Sequence, residues 1–393
     1  MGEVSLTTRR YPTSKSLGTY GRHLTNFIEW CDARRRSWTE IEYKADIVDG
    51  YQADMLSGRW STAGVSLAKT TVNNRVSEAC TFLLWAVARS LRPPFKILSY
   101  KQSYVSDTAV SSVGHEQRNA QARVGRVRQD PMRLVLPAVT DVMKWLDSVE
   151  IERGPTKALM CELVIRTGIR REECVQWRLT TLPKDRTAWR QSGRMITVTI
   201  EYGAKGQKTK DIFGDEKGPA RHIELPVDLA ERLYEYATVT RAIQRKRYVD
   251  RAELSADRRQ RLSDNPRQLF LSDSHGSPVS AASLYKAWTS VSGMFGCWSP
   301  HLGRHYWACQ TLVEEIRVQQ KVLHAGGHAL PNAWIYGTAQ DVLLLKLQPQ
   351  LGHISKETSL TYVRWVCRAM GMDVEADDWY LSHLESRVHA EAA

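Results

Sequence analysis

The sequence has little with which to bind a metal, cross a bilayer or cross-link itself. Its seven cysteines (Cys31, Cys80, Cys161, Cys174, Cys297, Cys309 and Cys367) form no Cys-x-x-Cys pair and are odd in number. That excludes a metal-ligand spacing and a disulfide framework, and it fits reduced, mostly buried thiols in the cytosol. No apolar run approaches the length of a membrane span, and Met1–Leu6 lacks a basic-then-apolar signal. Leu6 stands where lipidation at Gly2 needs Ser or Thr. Internal repeats and low-complexity segments are also missing. The expectation is an intracellular protein without membrane, metal or cofactor.

What is present is charge and apolar content. At 393 residues two domains are the natural division, and 42% apolar residues with 13 tryptophans argue for folded cores. Basic residues number 55 against 43 acidic, a net charge of +12, which makes a polyanion the expected partner.

Along the chain, residues 1–15 read as a flexible basic arm carrying Arg9, Arg10 and Lys15. Helical spacing over 16–34, 43–57 and 66–91, the last stopped by Pro93-Pro94, predicts an all-helical domain over 16–100. Residues 101–130 lack an apolar stripe and carry Arg118, Arg123, Arg126 and Arg128, so they read as a basic linker, either solvated or lying on phosphates. Structure resumes at Leu134. Helices are expected over 155–167, capped by Gly168, and from Arg171, with Glu172 and Glu173 suiting its positive end. The β-branched alternation of Met195–Ile200 predicts a strand, 203–206 a turn, and 221–225 a returning strand. A helix over 227–247, a charged segment to Pro266, a short strand at 269–271 and helices over 278–291, 301–312, 339–348, 360–370 and 374–388 complete the reading.

Four short stretches carry chemistry: Thr167-Gly168-Ile169-Arg170, Gly203-Ala204-Lys205-Gly206, His301-Leu302-Gly303-Arg304, and Leu351-Gly352-His353 with Tyr362 nine residues on. Taken singly, each has an ordinary structural account: Arg170 pairing with Glu173, Lys205 solvated in a turn, His301 and Tyr362 packed in a core. Together they supply what metal-free phosphoryl transfer to a tyrosine hydroxyl requires. The forked donors of Arg170 and Arg304 fit the non-bridging oxygens of a phosphodiester, whose charge grows in the transition state. His353 adds a donor. The phenol of Tyr362, with an ordinary pKa of about 10, must lose its proton during attack. His301 is the base, or an orienting neighbour of one.

These stretches resemble the motifs of the tyrosine recombinases, the phage integrase family. Thr167–Glu173 resembles the first arginine motif, Gly203–Lys208 the hairpin lysine motif, His301–His305 the His-x-x-Arg motif, and Leu351–His353 with Tyr362 the closing motif. The likeness extends to Arg221–Pro226 and to Leu269–Pro278 and covers about 131–370. Thr71–Arg75 and its helix look, more loosely, like the family's core-binding domain.

The resemblance implies a mainly α fold with a small antiparallel β-sheet: a helical core-binding domain, then a mixed α/β catalytic domain over 131–370. The tail, 371–393, is a possible protomer contact. It implies site-specific recombination through a 3′-phosphotyrosyl intermediate and a free 5′-hydroxyl, with no cofactor and Lys205 donating the leaving oxygen's proton. Asn73, Asn74 and Arg75, with the linker arginines, would contact DNA. The partners implied are double-stranded DNA with inverted-repeat core sites, further protomers in a dimer or tetramer, and partner recombinases or accessory DNA-bending proteins, in a nucleoid-associated cytoplasmic setting. A type IB topoisomerase or telomere resolvase shares the chemistry, and a vestigial DNA-binding protein shares the fold. Arg304 and His353 lie further apart than is usual in the family, so Val318–Thr338 reads as an insertion, and Pro349 interrupts the helix expected before Leu351.

Overall fold

The computed structural model describes residues 12, 14–104, 118–128, 134–263, 265–324, 332–352 and 356–370. The chain divides into two compact units, Met1–Pro131 and Met132–Ala393.

In the first unit, α1 (Ser14–Ala33), a π-helical stretch (Tyr43–Gln52) running into α2 (Ala53–Leu56), and α3 (Lys69–Ala88) enclose a core of Phe27, Trp30, Ile47, Tyr51, Val76 and Leu83. In the segment expected as a linker, the described residues include two paired strands. β1 (Ser99–Tyr104) and β2 (Arg118–Arg123) pair antiparallel along their whole length, Ser99 opposite Arg123 and Tyr104 opposite Arg118. The chain after β2 is then tied to the helices: Tyr43 Oη donates to the Val124 carbonyl (2.6 Å) and Gln52 Nε2 to that of Gly125 (2.8 Å). The pairing is carried by backbone hydrogen bonds between polar strands, so no apolar alternation announces it. The N-terminal arm is almost wholly outside the described residues, and so are 105–117.

The second unit opens with α4 (Val139–Arg153), a few residues after the point where structure was expected to resume. Pro137 disfavours a helical conformation for the residue before it. α5 (Pro155–Thr167) follows with proline at its first turn, then α6 (Arg171–Val175). Strands β3 (Arg190–Ser192), β4 (Met195–Tyr202), β5 (Thr209–Lys210) and β6 (Glu216–Pro226) make an antiparallel sheet ordered β3-β4-β6-β5. Ile196, Val198 and Ile200 of β4 face the core with Ile223 and Leu225 of β6, while Thr197 and Thr199 face out. Next come α7 (Val227–Glu235), a π-helical turn, α8 (Arg241–Asp250), α9 (Ser255–Ser263) within the expected charged segment, and α10 (Ala281–Thr289). The expected strand at 269–271 is only bridged, Leu271 to Pro278. α11 (Pro300–His324), α12 (Asn332–Val342), a π-helical turn (Leu343–Leu347), α13 (Gln348–Leu351) and α14 (Lys356–Ala369) close the chain.

Val318–Thr338, read from sequence as an insertion, is in part packed into the fold. Val318 onward completes α11, and Ile335 and Thr338 of α12 are buried; 325–331 lie outside the described residues. Pro349 sits in the first turn of α13, where its missing N–H costs no hydrogen bond. The fold class is as expected: mainly α with a small antiparallel sheet. Among the described residues no helix is long and apolar enough to cross a membrane.

Candidate active site

The site is built on a turn that only glycine tolerates. α5 ends at Gly168, left-handed at φ +66°, whose N–H donates to the Val164 carbonyl. A Cβ there would stand 2.4 Å from Trp307 Cε3, so α11 and α5 approach as they do because position 168 has no side chain. Two residues on, Arg170 opens α6. Its backbone N–H donates to Glu173 Oε2 (2.7 Å) and its guanidinium to Glu173 Oε1 (3.0 Å).

Glu173 is buried and shared. Arg221, from β6, donates both of its terminal nitrogens to the same carboxylate, Nη2 at 2.7 Å. Burial pushes the carboxyl up most strongly, but the hydrogen bonds and charges of Arg221 and Arg170 outweigh it and leave the group below its ordinary value. Arg304, on α11, is 2% exposed and donates to the Gly168 carbonyl (2.6 Å) and the Leu351 carbonyl. Burial, then the charge of Arg170, pushes its pKa down to about 9, which leaves it protonated at neutral pH.

The end of α13 is where these arginines meet. Three consecutive carbonyls each accept from a different guanidinium: Gln350 from Arg221 Nε (3.1 Å), Leu351 from Arg304, and Gly352 from Arg170 Nη2 (3.3 Å). The last carbonyls of a helix are unsatisfied within it and carry partial negative charge, so cations gather there. The Gln350 side chain fixes the junction, donating to the Thr167 and Glu224 carbonyls and accepting from the Glu224 N–H (3.0, 2.9 and 2.7 Å).

Tyr362 lies one segment further, on α14, with no exposed surface. Its hydroxyl is 3.0 Å from His305 Nδ1, and His305 Nε2 is 3.2 Å from His301 Nε2. The three residues form one line of polar atoms. Burial pushes the phenol up to about 12, with Arg304 and Arg170 opposing. Burial, followed by the charges of Arg304 and Arg170, holds His301 below the ordinary histidine value. His301 nevertheless stands at the open end of α11, exposed as a residue, with its ring packed on that of His305 at 4.4 Å.

Of the residues expected from sequence, the structure brings together Arg170, Arg304, His301 and Tyr362. Lys205 is exposed on the turn after β4. That turn rests on α6: a Cβ on Gly203 would fall 2.3 Å from the Glu172 carbonyl. His353 lies outside the described residues. Of the competing tyrosines, Tyr306 is buried edge-on to Trp298 in the main core, and Tyr336 is exposed on α12.

The expected DNA contacts of the first unit divide. Asn73 is 5% exposed, donates to the Val127 carbonyl (2.8 Å) and accepts from the Val127 N–H and Arg123 (3.1 and 2.9 Å). Arg123 also donates to Gln52 (3.0 Å), and Arg75 to Asn26 (3.0 Å). Asn73 and Arg123 therefore hold the end of the ribbon to the helices, a structural role beside the DNA contact expected of them. Asn74, Arg126 and Arg128 are exposed; the Arg118 side chain is outside the described residues.

Sequence reasoning missed Arg221 and Gln350 as members of the site, and it read His305 only as a motif neighbour.

No family model and no curated protein matches the sequence. Solved structures do match. XerH site-specific recombinase bound to a palindromic difH substrate, in a post-cleavage complex, aligns at TM-score 0.52 and 17% identity, over 93% of this chain and 80% of that one. The Tn1549 transposon integrase in complex with circular intermediate DNA aligns at 0.46 and 13%, over 91% of each chain. A lambda integrase dimer bound to a COC′ core site aligns at 0.45 and 12%, over 91% of each. At these identities the likeness is one of fold, and the XerH comparison carries it: the chain has the tyrosine recombinase fold.

Proposed function

We propose that the protein is a site-specific DNA recombinase that breaks and rejoins strands through a 3′-phosphotyrosyl intermediate on Tyr362. The observation that carries this reading is the convergence of Arg170 and Arg304 at the end of α13, near a tyrosine whose hydroxyl is hydrogen-bonded to a histidine. Two guanidiniums from different elements are the donors a phosphodiester needs as charge grows on its non-bridging oxygens. Glu173 and Arg221 touch no substrate in this scheme; they fix the aim of Arg170.

In the reaction, the Tyr362 oxygen attacks phosphorus, the P–O bond to the 5′-oxygen breaks, and Lys205 protonates that oxygen as it leaves. His353 adds a donor to the phosphate. A free 5′-hydroxyl from a partner strand then attacks the phosphotyrosine, restores the phosphodiester and releases the phenol. No step consumes a nucleotide, because the bond energy is retained in the protein–DNA ester. With Tyr362 buried, DNA binding has to open the site enough for a phosphoryl oxygen to reach the hydroxyl. The carbonyls of Leu351 and Gly352, which occupy guanidinium donors, are the groups a phosphate displaces.

The partner is double-stranded DNA with inverted-repeat core sites, bound by two or four protomers. The net charge of +12 supports a polyanion, and the exposed Arg126 and Arg128 suit phosphate contacts. The test is covalent trapping: cells carrying the DNA that flanks the coding sequence are lysed in hot detergent and protein-linked ends are mapped. Adducts at 3′-ends that vanish in Tyr362→Phe but persist in Tyr306→Phe and Tyr336→Phe support the reading. Relaxation of supercoiled DNA lacking that sequence would instead favour a topoisomerase, and tight binding without adducts a vestigial binder.

A further inference from the structure

Resting on that reading, we infer that His305, rather than His301, takes the proton from Tyr362, and that it passes its own Nε2 proton to His301 in a two-histidine relay. Three observations place the relay. The Tyr362 hydroxyl meets His305 Nδ1 at 3.0 Å, and the other ring nitrogen of His305 meets His301 Nε2 at 3.2 Å. His305 and Tyr362 are both buried, whereas His301 is open to solvent. The hydrogen bonds therefore run from a phenol without water to a ring that has it.

The relay requires one tautomer of each ring. His305 starts neutral with its proton on Nε2 and a lone pair on Nδ1; His301 starts neutral with a lone pair on Nε2 and its proton on Nδ1. As the phenolic O–H breaks and O–P forms, Nδ1 of His305 gains a proton and its Nε2 loses one to His301 Nε2. His301 becomes imidazolium and releases its Nδ1 proton to solvent. His305 ends neutral in the opposite tautomer, so no charge is stranded in the core, where an isolated imidazolium is costly. The charged groups around the relay act in both directions, and the charges that keep His301 neutral at rest also speed the loss of its Nδ1 proton once it is charged. Arg304 and Arg170 face both ends: they favour a neutral, accepting His301 and oppose the burial that raises the phenol, while Cys309 acts on Tyr362 in the sense of burial.

The spacing explains why both histidines sit on α11. Positions 301 and 305 are one turn apart on one face, so the rings meet edge to face along the helix with Arg304 beside them. His305 meets Tyr362 with one ring nitrogen and His301 with the other, so each histidine has its own place in the line.

The test has a DNA-free arm and a kinetic arm on the full-length protein. In the first, two-bond ¹H–¹⁵N spectra of ¹⁵N-histidine protein, assigned with His305→Gln and His301→Gln, read the tautomers. Neutral His305 protonated on Nε2 is expected; protonation on Nδ1, or imidazolium at neutral pH, overturns the relay. In the second, adduct formation on a supercoiled plasmid carrying the DNA that flanks the coding sequence is followed from pH 6 to 9. His305→Asn keeps a polar group at the Nδ1 position but has nothing to hand on to His301. Its rate at pH 7 should fall about 100-fold or more, as loss of general-base assistance does. It should then rise about tenfold per pH unit toward the phenol's own ionisation, where the wild type is flat. A fall in rate with the wild-type pH profile retained marks a merely structural histidine and refutes the relay. Absence of any wild-type adduct counts against the recombinase reading, while the tautomer spectra still decide the hydrogen-bond line by themselves.

Discussion

Glu173 is the residue whose loss should tell most about the site. Its carboxylate has no exposed side-chain surface and lies between Arg170 and Arg221, which are 26% and 13% exposed. Glu173→Gln preserves shape but removes the charge, and the amide turns its NH₂ toward one of the two guanidiniums, donor facing donor. Breaking one member of a buried ion network costs about 3 to 5 kcal/mol. For a unit of this size that lowers Tm by about 6 to 20 °C. The measurement is thermal unfolding of the full chain by circular dichroism, with the transition of the second unit followed. Replacing the network by apolar groups should recover much of the loss, so Glu173→Gln with Arg221→Met is expected to unfold above Glu173→Gln alone. The pH dependence has a defined sign. The Glu173 carboxyl lies below its ordinary value of 4.5 in the folded chain, so its stabilisation is complete above that pH and is lost as pH falls through the folded value. The gap between wild type and Glu173→Gln should therefore narrow in acid. A variant that unfolds within about 1 °C of wild type at pH 7 would refute the claim that one carboxylate organises both arginines.

Tyr362→Phe should eliminate covalent adducts while costing about 1 to 3 kcal/mol of stability, because buried His305 loses the hydroxyl as a partner, read by urea unfolding. Gly168→Ala forces a side chain into left-handed backbone and against Trp307, and should destabilise the second unit by more than about 2 kcal/mol. Asn73→Ala should destabilise the first unit by about 2 kcal/mol, since Val127 and Arg123 lose buried partners, whereas exposed Asn74→Ala should leave stability unchanged. Arg126→Ala with Arg128→Ala should flatten the salt dependence of DNA binding by about two phosphate contacts, measured by fluorescence anisotropy across a salt series.

What the sequence made legible was local. The cap at Gly168, the α6 start at Arg171, the β4 alternation and the Arg304 position relative to His301 depend on residues within a turn or a pleat of each other. What it concealed depends on partners far along the chain. Arg221 reads as one more charge in a strand until β6 sets it against Glu173 and Gln350. Gln350 has no pattern at all; its three bonds go to Thr167 and Glu224. The polar sequences of β1 and β2 carry no apolar period, so a paired ribbon reads as a linker. The structural role of Asn73 was hidden for the opposite reason: it stands in a polar run at the start of α3, yet the chain after β2 folds back and buries it.

The charge balance at the end of α13 ties the positioning residues to the proposed chemistry. Three guanidiniums, from Arg170, Arg221 and Arg304, surround Gln350–Gly352, and among the described residues Glu173 is the one carboxylate bonded to them. Of the three, Arg221 is committed twice to Glu173 and once to Gln350, so its charge is answered within the protein. Arg304 is different: both bonds described for it go to neutral carbonyls, of Gly168 and Leu351. Arg170 shares Glu173 with Arg221 and completes its set with the Gly352 carbonyl. Carbonyl dipoles lower the cost of burying a cation but do not neutralise it, so the cluster keeps an excess of about two positive charges in a region of low dielectric. A phosphodiester brings one negative charge, and more on its non-bridging oxygens as the transition state forms. On the proposed chemistry, the cluster is best satisfied when a phosphate gains charge, which is the differential binding that catalysis requires.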